Sequence, residues 1–100
     1  MALTGKQVRH LRSLGHALTP VVHIGKLGLT DAVSEAVDAA LTTHELIKVR
    51  VDADAPSDRY ESAEALAAAL RCEVAQVIGN VVLLYRRHPN KPVITLPAAG

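Results

Sequence analysis

The chain has 100 residues, of which 49% are hydrophobic and 21% charged, a size and composition that fit one compact domain and exclude a disordered or collagen-like chain. Aromatic residues make up 2%, so the core has to be aliphatic, and recognition that stacks bases on aromatic platforms is not expected. A single cysteine, Cys72, excludes an internal disulfide, and no apolar run approaches the ~18 residues of a membrane span. We therefore expect a cytoplasmic protein with neither a signal peptide nor a membrane segment.

Charge is segregated along the chain, although the formal net charge is only +1. Residues 1–28 contain Lys and Arg but no acid, residues 29–47 contain acids but no Lys or Arg, and residues 74–100 again contain only bases. If the fold brings the two basic ends together with Lys48 and Arg50, one face is positive and suits a polyanion. The alternative is that these charges are ordinary solvated surface.

Local patterns predict three helices. The first begins at a capping box formed by Thr4 and Gln7 and ends at Gly15, the second begins at Thr30, and the third is rich in alanine. The residues predicted to face the core are Val8, Leu11 and Leu14 in the first helix, Val33, Ala36, Val37, Ala40 and Leu41 in the second, and Tyr60, Ala63, Ala67 and Leu70 in the third.

Four strands are predicted as well. Residues 20–24 (PVVHI) form a β-branched run between Pro and Gly and predict a buried strand, whereas residues 46–51 (LIKVRV) alternate and predict a basic exposed face. Residues 74–78 and 81–86 flank Gly79-Asn80, a connection suited to a type II′ hairpin. The tail after residue 88 is rich in proline, and it either adds an edge strand at 93–96 or stays loose.

The predicted order αβαβαββ indicates an α/β fold, a single compact domain with a mixed four-stranded sheet packed by helices. We assign residues 1–88 to this domain and residues 89–100 to a C-terminal tail.

The segment Gly25-Lys26-Leu27-Gly28 connects the first strand to the second helix, where backbone amides can converge on a phosphate. It matches neither the P-loop nor the dinucleotide-binding fingerprint. Two interpretations stay open at this point. The loop is either a tight connection that needs a positive φ or a phosphate contact aided by Lys26, with Asp31 acting against anion binding.

Catalytic and metal sites are not expected. The five histidines lack the spacing of metal ligands, no nucleophile elbow is present, and the acids lie on predicted solvated helix faces. We expect no metal, no cofactor and no small-molecule substrate, and we interpret Cys72 as a small buried hydrophobic residue.

Three segments in order resemble the CRM domain, the chloroplast RNA splicing and ribosome maturation module, whose free-standing bacterial form is the YhbY type. They are LGHALTPVVHIGKLGLTDAV at 14–33, HELIKVRV at 44–51 and VAQVIGNVVLLYRR at 74–87, and the resemblance runs from about Leu3 to Arg87. It implies an α/β RNA-binding fold similar to the C-terminal domain of bacterial initiation factor three, with a GxxG loop like the one that clamps the nucleic-acid backbone in KH domains. It also implies a role in assembly of the large (50S) ribosomal subunit, with ribosomal RNA of its precursors as the partner.

Carried over by position, the RNA contacts are predicted at Gly25, Lys26, Leu27 and Gly28, of which the two glycines match the motif. The charge pattern and the family's basic surface add supporting phosphate contacts at Lys6, Arg9, Arg12, Lys48, Arg50 and Arg86. Asn80 departs from the family pattern, because relatives often have a basic residue after the glycine of VIG.

The sequence therefore favours a monomeric, non-enzymatic RNA-binding protein. A second hypothesis is a protein-interaction module on the ribosome or its precursors, without direct RNA binding, that docks through Leu27 at the loop tip and through the helices of mixed charge. A third is an enzyme that acts on phosphorylated substrates through the GKLG loop, against which the missing general base speaks.

Overall fold

Three helices and four strands form in the predicted order. The computed structural model describes residues 3–98, so the first two residues of the predicted domain and the last two of the predicted tail lie outside the described residues. The elements are α1 (Gly5–Gly15), β1 (Pro20–Ile24), α2 (Asp31–His44), β2 (Leu46–Val51), α3 (Arg59–Leu70), β3 (Glu73–Ile78) and β4 (Val81–Tyr85).

The sheet is mixed and has the strand order β1-β2-β4-β3. β1 runs parallel to β2, whereas β4 pairs antiparallel with both β2 and β3. One face of the sheet packs against α2 and α3, through the buried residues Ile24, Val37, Leu41, Ile47, Val49, Val51, Ala63, Leu66, Cys72, Val82 and Leu84. The other face packs against α1, through the buried residues Leu11, Leu46, Ala75, Leu83 and Tyr85. The predicted fold class is thus confirmed.

Short-range signals in the sequence determine where the helices begin and where the hairpin turns. The capping box at the start of α1 is present, since the Thr4 hydroxyl accepts from the Gln7 backbone N–H and the Gln7 side chain accepts from the Thr4 N–H. Thr30 caps α2 in the predicted way. In the hairpin, Gly79 has a φ of 55° and Asn80 does not have a positive φ, which is the pattern that a type II′ turn requires.

β1 lies at the edge of the sheet, and the prediction that it is buried was wrong. Its residues alternate between exposed and covered, with Val21 53% exposed and Ile24 only 1% exposed. β-Branched residues favour a strand wherever it lies in a sheet, so the composition of this run does not distinguish an edge from the centre.

The helix faces differ from the prediction at particular residues. In α3, Leu66 lies in the core, whereas Tyr60 is 56% exposed beneath the guanidinium group of Arg59. The helix is so rich in alanine that its pattern carries little information about which stripe is buried. In α2, Ala36 is exposed. α1 ends at Gly15 as predicted. The glycine itself is required by close packing, because a Cβ there would lie 2.9 Å from a methyl carbon of Leu83.

The tail is bound to the domain by the buried carboxylate of Glu45. Its Oε2 accepts the backbone N–H of His88 at 2.8 Å, and its Oε1 accepts those of Val93 and Ile94 at 2.8 and 2.7 Å. Ile94 and Leu96 pack against the core beneath α1, and no strand forms at 93–96. The division predicted after residue 88 therefore marks a change in regular structure and not a loss of packing.

Glu45 also has an unusual backbone conformation. The residue caps α2 with φ 63° and ψ −41°, a conformation that non-glycine residues rarely adopt. Burial on its own raises the pKa of the Glu45 carboxyl, but the three backbone N–H groups together hold that pKa below its ordinary value. The sequence carries no signal for this contact, because its partners are distant along the chain.

Within residues 3–98, no helix has both the length and the apolar character needed to cross a bilayer.

Candidate nucleic-acid interface

Three loops meet at one end of the sheet. The GKLG loop follows β1, residues 52–58 follow the parallel strand β2, and the hairpin turn at 79–80 lies beside them, since the Val51 N–H donates to the Asn80 carbonyl at 2.7 Å. The Asp52 N–H also donates to the Ile24 carbonyl at 2.9 Å. The GKLG loop therefore lies at the edge of the sheet beside the loop after β2, which in turn lies beside the hairpin turn.

The GKLG loop is a tight turn, and Gly28 is the glycine that the turn needs. The Gly28 N–H donates to the Gly25 carbonyl at 2.9 Å, and Gly28 has a φ of 72°. A Cβ on Gly28 would lie 2.8 Å from Cγ of Pro56, a residue of the loop after β2. The turn and the close approach of Pro56 therefore explain this glycine without any ligand.

Gly25 has no such structural reason. It does not have a positive φ, and the nearest atom to a Cβ built on it is Oδ2 of Asp52 at 3.9 Å, an ordinary contact distance. The fold would therefore accept a Cβ at position 25, where the nearest neighbouring atom is a carboxylate oxygen.

The tip of the loop is exposed but stands in acidic surroundings. Lys26 is exposed and Leu27 is 83% exposed. The adjacent loop carries three aspartates, Asp52, Asp54 and Asp58. Asn80 of the hairpin is exposed and adds no charge.

The predicted basic contacts on β2 are engaged within the protein. Arg50 Nε lies 3.6 Å from Oδ1 of Asp52, with half of the arginine side chain exposed. Lys48 Nζ donates to the Leu18 carbonyl at 3.1 Å and so holds the connection between α1 and β1. The predicted contacts on α1, namely Lys6, Arg9 and Arg12, are all exposed.

Arg86 holds two helices together. Its Nη1 donates to Oδ1 of Asp38 at 2.7 Å and to the Leu70 carbonyl at 3.0 Å, while its Nη2 donates to the Asp38 carbonyl and to the Thr42 hydroxyl. Only the Nε–H of this guanidinium group is left for another partner. Its contact with RNA stays a prediction.

The fold does not bring all of the basic residues to one place. Tyr85 at the end of β4 pairs with Leu46 at the start of β2, whereas Ile24 before the GKLG loop pairs with Val51 at the end of β2. Lys26 and Arg86 therefore lie at opposite ends of a strand that is about 17 Å long. The condition for a single positive face is therefore not met by Lys26 and Arg86.

One other sequence interpretation has a structural outcome. Cys72 is buried as predicted, and burial raises the pKa of its thiol. Among the described residues, 3–98, no group of three or more His, Cys, Asp or Glu side chains is arranged to hold a metal ion.

Known proteins are similar to this one over nearly the whole chain. Residues 3–86 match the family described as CRS1 / YhbY (CRM) domain. The chain is 42% identical to "Probable RNA-binding protein YqeI" of Bacillus subtilis, over 95% of this chain and 99% of that protein. It is 39% identical to a protein of Pseudomonas aeruginosa named as a probable RNA-binding protein, over 90% of this chain and 86% of the relative.

A solved structure agrees with the fold. The solution structure of the hypothetical protein SAV1595 from Staphylococcus aureus superposes with a TM-score of 0.81 and 43% sequence identity, covering 96% of this chain and 100% of that one. Sequence and structure lead to the same conclusion: the chain belongs to the CRS1/YhbY (CRM) domain family.

Proposed function

We propose that this protein binds ribosomal RNA of large-subunit precursors during 50S assembly, without catalysing a reaction, and that the GKLG loop and the basic surface of α1 contact the RNA backbone. The coarser part of this proposal, RNA binding, agrees with the names of the curated relatives. The ribosomal role comes from the resemblance to the stand-alone bacterial members of the family.

The observation that carries the loop assignment is that glycine occupies position 25 although a Cβ would fit there. The fold does not require glycine at this position, whereas the neighbouring side chain, Lys26, is exposed and positively charged. A phosphate that approaches the backbone at Gly25 can accept from loop N–H groups and pair with the Lys26 ammonium group. Phosphate contacts of this kind position the protein but do not read sequence.

Binding to a single-stranded RNA at increasing salt tests this proposal. If Lys26 and the three bases of α1 each neutralise one phosphate, log K falls against log salt with a slope near −3. Lys26→Gln should reduce the slope by about 0.7, to a similar extent for every RNA sequence. Arg59→Gln is the matched control, because it removes one positive charge from a side chain that stacks on Tyr60. An affinity that does not depend on salt would contradict phosphate contact.

Sedimentation of a low-salt lysate on a sucrose gradient tests the ribosomal role. We expect the wild type to migrate with large-subunit precursors and a Gly25→Asp/Lys26→Glu variant to remain at the top. Gly25 is the position to change, since a side chain at Gly28 would disturb the fold itself. Wild-type protein that stays at the top under conditions that preserve the precursors would refute the role in assembly.

The second candidate function is a protein-interaction module, and the observation in its favour is the 83% exposure of Leu27. A leucine so exposed at a loop tip is available to enter an apolar pocket of a partner. Nuclease treatment separates the two proposals, because a complex held by protein contacts survives it. Leu27→Ser should then abolish the complex, while leaving affinity for naked RNA unchanged.

A further inference from the structure

Three arginines meet at the end of the sheet opposite the GKLG loop. Arg71 follows α3, and Arg86 and Arg87 follow β4. They line one depression of the surface, here called the arginine hollow, whose lining consists of Leu3, Arg71, Glu73, Tyr85, Arg86 and Arg87.

Arg86 is the fixed member of the hollow. Four of its N–H groups are used by Asp38, Leu70 and Thr42, so its guanidinium group cannot turn away. Its charge is balanced by Asp38 at 2.7 Å. Arg86 therefore supplies the framework, and any ligand must be held mainly by its neighbours.

Arg71 and Arg87 are free to bind a ligand. Both are exposed, and within residues 3–98 neither guanidinium group forms an ion pair or a hydrogen bond. Arg71 also has φ 54° and ψ 48°, the left-handed conformation at the end of α3, where glycine is the residue without strain.

Tyr85 adds a hydrogen-bond donor without an acceptor. The residue is 3% exposed, and among the described residues its hydroxyl is the buried side-chain polar group that lacks a hydrogen-bond partner. An unpaired buried hydroxyl is unfavourable. The hydroxyl is not accessible from the surface, so a ligand in the hollow lies above it and is held by the arginines.

The balance of charge favours an anion here more than at the other end of the sheet. With Arg86 balanced by Asp38, the charges that remain in the lining of the hollow are those of Arg71 and Arg87 against that of Glu73. Around the GKLG loop, by contrast, Lys26 stands beside three aspartates, at positions 52, 54 and 58. A guanidinium group also matches the geometry of phosphate better than an ammonium group does.

We infer that the arginine hollow is a second phosphate-binding site, in which Arg71 and Arg87 each neutralise one phosphate of the RNA backbone. The inference rests on the proposed function and adds a requirement for the size of the ligand. Because the hollow and the GKLG loop lie at opposite ends of β2, the bound RNA has to extend about 17 Å across the sheet.

Salt-dependent binding of poly(U), measured by fluorescence anisotropy, tests the inference. By counterion release, each lost phosphate contact lowers the salt slope by about 0.7 and the affinity in about 0.1 M salt by about 5-fold. Arg71→Gln/Arg87→Gln should therefore lower the slope by about 1.4 and the affinity by about 25-fold. Arg71→Lys/Arg87→Lys is the matched control that keeps both charges and should retain the slope.

Two further variants guard against a loss of folding. Arg71→Gly/Arg87→Gln removes the same charges but leaves a residue that tolerates a left-handed backbone, so it should fold at least as well as the wild type. Tyr85→Phe removes an unpaired buried hydroxyl from below the hollow without changing its charge, so its unfolding midpoint should be unchanged or higher and its salt slope should match that of the wild type.

The outcomes separate this inference from the proposed function. If Lys26→Gln weakens binding but the Arg71 and Arg87 variants bind with wild-type slope and affinity, the second site is refuted and the proposed function stands. If the wild type does not bind RNA, both fall. If the arginine variants lose slope while Lys26→Gln does not, the hollow is supported and the loop assignment is wrong.

Discussion

The two glycines of the GKLG loop should respond in opposite ways to replacement by alanine. Gly28→Ala forces a left-handed residue, which costs about 1–2 kcal/mol, and places a Cβ 2.8 Å from Pro56, which adds about 1–3 kcal/mol of overpacking. We therefore expect the free energy of unfolding to fall by about 2–5 kcal/mol and the melting temperature by at least about 8 °C. Gly25→Ala meets only an ordinary contact at 3.9 Å, so its stability should stay within about 1 kcal/mol of the wild type.

Urea and thermal unfolding, followed by circular dichroism, measure both effects. RNA binding is then compared between Gly25→Ala and the wild type, which should both be folded. Gly25→Ala should weaken RNA binding in spite of its unchanged stability. The reasoning is refuted if Gly28→Ala is as stable as the wild type, or if Gly25→Ala is destabilised to the same extent as Gly28→Ala.

Four further predictions concern stability and reactivity. Glu45→Gln should lower the free energy of unfolding by about 1.5–3 kcal/mol and speed amide exchange at Val93 and Ile94, and unchanged protection there would contradict the carboxylate contact. Because the pKa of Glu45 is lower in the folded state, its ionised form stabilises the protein above the unfolded pKa of about 4.3, and this contribution is lost as the pH falls through the folded pKa. Glu45→Gln should accordingly flatten the dependence of stability on pH below about pH 5, and an equally steep curve would count against the assignment. Arg71→Gly should raise the free energy of unfolding by up to about 1 kcal/mol through relief of its left-handed backbone, and a lower urea midpoint would argue against strain at that residue. The Cys72 thiol, whose pKa is raised by burial, should react with a thiol reagent only on unfolding, and rapid labelling of the native protein would disagree.

Features that depend on neighbouring residues were predictable from the sequence. The capping box of α1 joins Thr4 to Gln7, and the hairpin turn depends on Gly79-Asn80 alone, so each signal is complete within a few residues. The order of the elements followed from such signals, and together with the resemblance it led to the family.

Features that depend on distant residues were not predictable. Whether β1 lies at an edge is decided by how the other strands pair, and no residue within the strand reports it. The carboxylate of Glu45 finds its three N–H partners in a tail that, from its prolines, could equally have been loose.

The candidate site divides in the same way. The GxxG pattern located the loop, but only the contact between Gly28 and Pro56 distinguishes a glycine needed by the turn from one that is not. Arg71 was overlooked because its left-handed conformation follows from how α3 ends, which its residue type does not suggest. Arg86 was predicted to contact RNA because of its charge. The sequence gives no sign that its guanidinium group already donates to Asp38 and Thr42.

The contact between Glu45 and the tail sets an order on folding during synthesis. The ribosome releases the chain from its N-terminus, so α1, α2 and the four strands emerge before residues 88–94 do. Until then the Glu45 carboxylate has none of these three tail donors, and the core beneath α1 lacks Ile94 and Leu96. The α2 and α3 side of the sheet can therefore consolidate early, whereas the α1 side is completed only when the last residues of the described chain leave the exit tunnel.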